Sequence, residues 1–453
     1  MRIAPKPWSV CAATGLSGKA TAICFSLAAT LLLSVNVAVA EAPPVANDEQ
    51  GATAEPEIER LASVPYVVNA RAEIELPQNA KRVRVWFALP RQDDSQSISD
   101  LNASLVLTKA PQPDEIVEDA ADPVVPEPET DDASKHESKD GDGELAKSGE
   151  SKKIDYREIQ DDFGNRFGFA EFASFDGAKL ELRQKFKLLR QSVRIDLTAA
   201  ATRPANDSER EEHRRALEPT VYEMVTPYIA GLATEITADN DDPAAAIRAI
   251  YDWSLVNLDI WFRDPERLSP SGVGSAIYAA STRGGDCRDL GSLFISLARS
   301  RGIPARAVEG VVLAGVEGKG HRFRAGYPHC WVEAWSPGYG WFGIDLALGD
   351  LYDEAVVLTD ANREVIKELA GAAGASVGAA ANPEKRSAAL LALDARRMTW
   401  TVGREPVLDP APRGSRPDRS ARLRVEVDGK VLDPVAYTVQ FKEGAASAPL
   451  DAQ

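Results

Sequence analysis

The 453-residue sequence predicts an α+β protein: an antiparallel β-sandwich, a helix-then-sheet domain, a helical stretch and a C-terminal β-hairpin. Three observations carry that expectation. Between residues 64 and 204, β-branched and aromatic residues alternate with polar ones at period two. From about residue 218 the apolar period becomes helical. After Pro304, three short strand-like runs follow one another with turn residues between them.

The elements can be justified in chain order. Arg2, Lys6 and Lys19 precede or flank an apolar run over 20–37, and Ala38-Val39-Ala40 stands before Glu41. That is the layout of a cleaved secretory signal, so residues 1–40 are expected to be removed and the protein exported, to a periplasm or beyond. Residues 41–63 are polar and Pro-rich and are expected to be disordered. Strand patterns then cover 66–76 and 82–89, and resume at 166–172, 179–188 and 192–197. Between them, 111–153 holds fourteen acidic and five basic residues, so 109–154 reads as a solvated, disordered insertion. Each half alone offers too few strands to close a core, which favours one sandwich over 64–204 interrupted by that insertion.

A domain over 215–360 follows. Asp242-Pro243 gives an N-cap and a proline at the first helical position, with Ile247, Ile250, Tyr251 and Leu255 at helical spacing behind it. A second helix is expected over 287–300, burying Leu290, Leu293, Phe294 and Leu297, and ended by Gly302-Ile303-Pro304. The strand-like runs cover 305–313, 329–335 and 341–346. Residues 361–395 are Ala-rich and read as helical; 396–453 read as a β segment and tail, with a hairpin over 423–432 turning at Asp428-Gly429.

Composition narrows the function. A net charge of −17 argues against nucleic-acid binding, and after the signal no run is long and apolar enough for stable membrane insertion. Processing would remove Cys11 and Cys24 and leave Cys287 and Cys330, too few for a disulfide framework. Two retained thiols call for a chemical explanation.

Cys287 stands at the start of its helix after Gly284-Gly285-Asp286, where unpaired N–H groups and the helix dipole favour a thiolate. A lone cysteine before an apolar helix is ordinarily a small buried hydrophobe, but here glycines allow close approach and a strand histidine follows. His329 shares a strand face with residues 331, 333 and 335; its rival His321 sits in a Gly-rich loop over 315–326. Asp345 lies on the next strand after a short turn and can come beside His329, ahead of Asp350 and Glu333 as an orienting carboxylate. Glu333 is expected to pair with an arginine. Strand alternation turns Cys330 away from His329, which makes it a core residue, although a reversible Cys287–Cys330 disulfide would block the nucleophile. His329 and Cys330 are adjacent and divergent, poor spacing for a metal, and no metal or cofactor is expected.

Together the Gly-Gly-x-Cys-x-Asp start at 284–289, the helix end at 298–306, the His329-Cys330-Trp331-Val332-Glu333 strand and the Pro337-Gly338-Tyr339-Gly340-Trp341 turn to Asp345 resemble the bacterial transglutaminase-like superfamily. The resemblance covers at least 227–350 and extends more loosely to the β-domain and to residues 401–406. It implies a papain-like thiol fold with Cys287, His329 and Asp345 as nucleophile, base and orienter. With the export expected from the N-terminal signal, it implies an enzyme that cleaves or transfers amide or peptide acyl groups through a thioester, on a protein or peptide substrate. The acidic insertion and the helical stretch after Asp350 depart from the superfamily's usual course. An alternative from another class is a peptide-binding or cell-envelope scaffold that keeps the shell without turnover; fast alkylation of one thiol separates the two.

Overall fold

The order of elements follows the switch in apolar period. In the computed structural model, the residues described are 58–109, 151–174, 178–197, 203–238, 240–313, 324–325, 327–353, 359–363, 389–390, 392–413, 423–432 and 437–444. The predicted signal, the acidic segment 110–150, His321 and most of the Ala-rich stretch lie outside them.

Seven strands come first: β1 (Ile58–Glu75), β2 (Arg82–Ala88), β3 (Gln96–Lys109), β4 (Ser151–Ile154), β5 (Arg157–Gln160), β6 (Arg166–Ala173) and β7 (Ala178–Ile195). Helices α1 (Asp207–Glu212), α2 (Arg214–Leu217), α3 (Pro227–Thr237) and α4 (Pro243–Asn257) follow. Then come β8 (Asp259–Ile260), α5 (Ala276–Thr282), β9 (Gly284–Gly285) and α6 (Cys287–Ser300). After α6 run β10 (Ala305–Val312), β11 (Arg324–Ala325), β12 (Tyr327–Ser336), β13 (Gly340–Ile344) and α7 (Leu346–Asp353). The chain closes with β14 (Ala392–Leu393), β15 (Arg397–Val402), β16 (Leu423–Val427), β17 (Lys430–Val431) and β18 (Tyr437–Glu443).

Two antiparallel sheets make the β-rich part. One runs β11-β18-β1-β7-β3-β4, with β14 also on β7; the other runs β17-β16-β2-β6-β5. In β1, from Tyr66 onward, alternate residues are buried, as period two requires. β3 and β4, which flank the acidic segment, pair with each other from Leu105↔Ile154 to Thr108↔Ser151.

Three expectations change here. Residues 58–63, read as disordered, begin β1 and pair with the end of β7 across a bulge between Arg60 and Ser63. The two runs 179–188 and 192–197 belong to one long strand, β7. The C-terminal hairpin does form, with Val427↔Lys430 closing it, but β16 also pairs with β2 and β18 with β1. These pairings join residues more than 300 positions apart, and local periodicity carries no information about partners at such range.

The third sheet, β13-β12-β10-β15, belongs to the helical part. Helix α6 packs on it, burying Leu290, Leu293, Phe294 and Leu297 with Val332 and Ala334 in one core. A second core joins this sheet to the sandwich, with Val311, Met398 and Trp400 among Tyr66, Trp86, Phe167 and Phe186. Strand β15 is held there by polar bonds as well. The Gln96 side-chain amide brackets Thr399, donating to its carbonyl and accepting from its N–H, each at 2.8 Å. Asn165 does the same at Val402, and Trp400 Nε1 donates to the Ala88 carbonyl. Such buried amides satisfy backbone groups that would otherwise lose their water.

Gly310 shows how tightly this sheet is filled. A Cβ there would come within 2.3 Å of the Trp331 ring and 2.5 Å of the Met398 carbonyl oxygen. Gly310→Ala is expected to destabilise the fold by about 1–3 kcal/mol, because neither the ring nor the backbone can yield freely. A urea midpoint equal to wild type would contradict this packing.

Candidate active site

Cys287 is the first residue of α6, and local chemistry fixes that start. The Asp286 carboxylate accepts from the N–H groups of Arg288 and Asp289, and Asp289 accepts in return from the Asp286 N–H. This reciprocal cap satisfies backbone donors that a helix start leaves open. Asp289 is fully buried and also accepts from Ser271 N, Ser271 Oγ and Ser275 N, which straps the loop before α5 to the first turn of α6. Gly285 has φ +154°, and a Cβ on it would strike Asp289, so the approach needs glycine. Among the described residues the Cys287 N–H donates to no acceptor.

His329 and Asp345 meet through strand register. β12 pairs with β13 from Ser336↔Gly340 to Val332↔Ile344, so one further step sets Asp345 opposite Trp331, on the face of His329. The contact is direct: His329 Nε2 lies 2.8 Å from Asp345 Oδ2. Asp345 also starts α7, its Oδ1 accepting from Leu348 N at 3.0 Å. Helix α7 was not expected from the sequence, which extended the preceding strand to residue 346. Its formation gives the carboxylate a second, rigid anchor.

Two neighbours act on the sulfur of Cys287. The charge of His329 favours its ionised form. Cys330 donates its thiol hydrogen to it, with the two sulfurs 2.7 Å apart and both cysteines free. Cys330 is buried, as expected of a core residue, but its contact with Cys287 corrects the reading that it is no partner in the site. Strand alternation does send residues 330 and 332 to the face opposite His329, but that is the face α6 covers, with Gly291 close against Val332. The helix terminus therefore meets the strand at the 329–330 step, where both neighbours act on it.

Electrostatics follow from these contacts. The Cys287 thiol is lowered to about 6, first by the Cys330 hydrogen bond, against the cost of burial, and then by His329. Burial disfavours a charged imidazole, but the Asp345 charge and hydrogen bond outweigh it and raise His329 to about 10. Burial also pushes Asp345 up, yet His329 and Arg397 hold it below the usual carboxylate range. Cys330 is raised, by burial first and then by the neighbouring Cys287, and so remains a thiol donor. Both directions favour a thiolate beside an imidazolium.

One residue of the site carried no readable signal. Arg397, buried at the start of β15, donates Nη2 to Asp345 Oδ2 at 2.7 Å and pairs through Nη1 with Asp394 at 3.0 Å. Asp289 stood in the Gly-Gly-x-Cys-x-Asp motif, but its strapping role carried no signal. The rival carboxylates are engaged elsewhere: Asp350 binds Arg263 and the Ile260 N–H, and Glu333 pairs with Arg306 at 2.7 Å, as expected of it. Arg306 in turn lies 3.8 Å over the Trp341 ring. A cavity of about 410 Å³ opens beside that pair, lined by Arg60, Arg91, Asp93 and Trp341, and is separate from the Cys287 cluster. Among the described residues no group of three His, Cys, Asp or Glu side chains is disposed to hold a metal, and no helix is long and apolar enough to cross a membrane.

Cys330→Ala removes the thiol donor and is expected to raise the Cys287 pKa. Alkylation by iodoacetamide near pH 6 should slow roughly threefold to tenfold, since one pKa unit is a tenfold change in thiolate. Cys330→Ser, which keeps a donor, should stay close to wild type. An unchanged alkylation midpoint in Cys330→Ala would remove Cys330 from the site.

Comparison with known proteins shows a similarity over the segment that holds this site. Residues 230–346 match the family model of the transglutaminase-like superfamily, a span that takes in Cys287, His329 and Asp345 and stops before Arg397. That segment is similar to a transglutaminase-like core and lies within the α+β architecture described above. An uncharacterized protein of Haemophilus influenzae is 29% identical over 147 residues, 28% of this chain and 39% of that protein. A protein-glutamine gamma-glutamyltransferase of Pseudomonas aeruginosa is 28% identical over 124 residues, 26% of this chain and 18% of that protein. The chain thus spans less than half the length of these curated relatives. A solved structure from Cytophaga hutchinsonii, named provisionally as a cysteine protease, has 14% identity and a TM-score of 0.48, covering 87% of this chain and 95% of that one.

Proposed function

We propose that the chain is an exported cysteine enzyme of transglutaminase-like type that cleaves or transfers amide or peptide acyl groups. One observation carries the reading: a thiol at a capped helix start lies in the field of an imidazole whose Nε2 is held 2.8 Å from a buried carboxylate. The Cys287 thiolate attacks the amide carbonyl carbon, and an N–H group at the helix start can donate to the charge that develops on oxygen. His329 gives its proton to the departing nitrogen as the C–N bond breaks, leaving a thioester on Cys287. Water or an amine then attacks the thioester, and His329 takes back a proton. Asp345 orients the imidazole and stabilises its charged form. Substrates of this reading are proteins or peptides, and the reaction draws only on the chain's own groups.

The test is a blocked glutaminyl peptide offered with and without a primary amine. Ammonia release that requires Cys287 supports the enzyme, and capture of the amine in the product separates transfer from hydrolysis. Peptide binding without release, unchanged in Cys287→Ala, would favour a scaffold instead.

A further inference from the structure

We infer that Arg397 is a positioning residue for this reaction: by sharing Oδ2 of Asp345 with His329, it fixes the carboxylate and keeps it from holding the imidazolium proton too tightly. The inference rests on the proposed thiol chemistry. It starts from a crowding of charge. One buried carboxylate oxygen receives two cationic donors, His329 at 2.8 Å and Arg397 at 2.7 Å, while the other oxygen caps α7.

A buried Asp–His pair alone makes a poor acid. In a low-dielectric site the carboxylate stabilises the imidazolium strongly, and the proton needed by the leaving nitrogen stays on the ring. When that proton does leave, a lone buried carboxylate faces a neutral ring, which is costly. A guanidinium on the same oxygen lessens both problems. It draws part of the carboxylate's field from the ring, and it keeps Asp345 paired after His329 is discharged. Arginine suits the task because its own charge does not titrate in the working range.

Its placement is rigid. β15 is clamped to the sandwich by Gln96, Asn165 and Trp400, and Arg397 is its first residue. Asp394 holds the second guanidinium nitrogen. The arginine thus comes from beyond the matched core, which ends at residue 346, on a strand anchored by the β-sandwich. The reading gives the N-terminal sandwich a catalytic consequence: it sets where this cation stands.

Other charged and titratable groups act on the cluster. From α6 come Asp286, Cys287 and Arg288; from β12, Cys330; from β10, Glu309; from α7, Tyr352; and before β15, Asp394. All remain in place when Arg397 alone is changed.

The experiment follows the His329 ring directly, by NMR of histidine-labelled protein between pH 7 and 11, with His329→Gln to assign the signal. In Arg397→Gln the His329 titration is expected to move upward by about one unit, the scale of a lost neighbouring charge, and Arg397→Lys should bring it part of the way back. An unmoved titration overturns the inference, even if activity falls. Should Arg397→Gln not fold, Asp394→Asn decides: it leaves Arg397 to Asp345 alone, so the titration should move downward, and no movement overturns the inference. Iodoacetamide labelling of wild type keeps the two readings apart. A fast Cys287 with an unmoved His329 rejects only the role of Arg397, whereas a slow Cys287 rejects the proposed function beneath it.

Discussion

Asp345→Asn is expected to lower amide turnover by about 10⁴-fold, the scale seen when the orienting carboxylate of such a triad is neutralised. The asparagine amide can still touch the ring, but it favours the wrong tautomer and no longer stabilises the imidazolium. Stability should fall too, by roughly 3 kcal/mol, because Arg397 keeps a buried guanidinium with only Asp394 to offset it. Steady-state turnover and a urea midpoint read the two effects separately. Turnover within tenfold of wild type would show that Asp345 does not orient the base.

His329→Ala is expected to cost about 10³–10⁴-fold in turnover and to alter the pH profile as well. In wild type, Cys287 titrates near 6 and His329 near 10. Below the first value the sulfur carries its proton and cannot attack; above the second the ring has none to give. Activity should therefore rise through about pH 6, hold, and decline through about pH 10. Without the imidazole, the Cys287 midpoint should climb, but it should stay below the ordinary thiol value of about 8.5 because Cys330 still donates to the sulfur. The pH dependence of alkylation reads this shift without any substrate, and an acid limb left near pH 6 in His329→Ala would contradict the ion pair.

Some of this site could be read before the structure. The start of α6 was legible because glycines, a capping aspartate and an apolar helical period coincide within about ten residues. His329 and Asp345 were legible because a short turn between antiparallel strands leaves little freedom in register. Cys330 was misread for a physical reason: alternation tells which face a side chain takes, but not which element covers that face. Arg397 had no signal, standing 52 residues from the carboxylate it binds, across a stretch read only as helical. The joining of β16 and β18 to the first strands was invisible for the same reason. Pairing between distant strands is decided by packing such as that of Trp86, Phe186 and Trp400, which no local pattern displays.

The central claim is that Cys287 is held as a thiolate by His329. Its most direct test is the rate at which each cysteine of the folded protein reacts with iodoacetamide at pH 7, followed by mass spectrometry of the two peptides. The account predicts that Cys287 is modified rapidly and Cys330 slowly. Slow labelling of both cysteines at equal rates would contradict it.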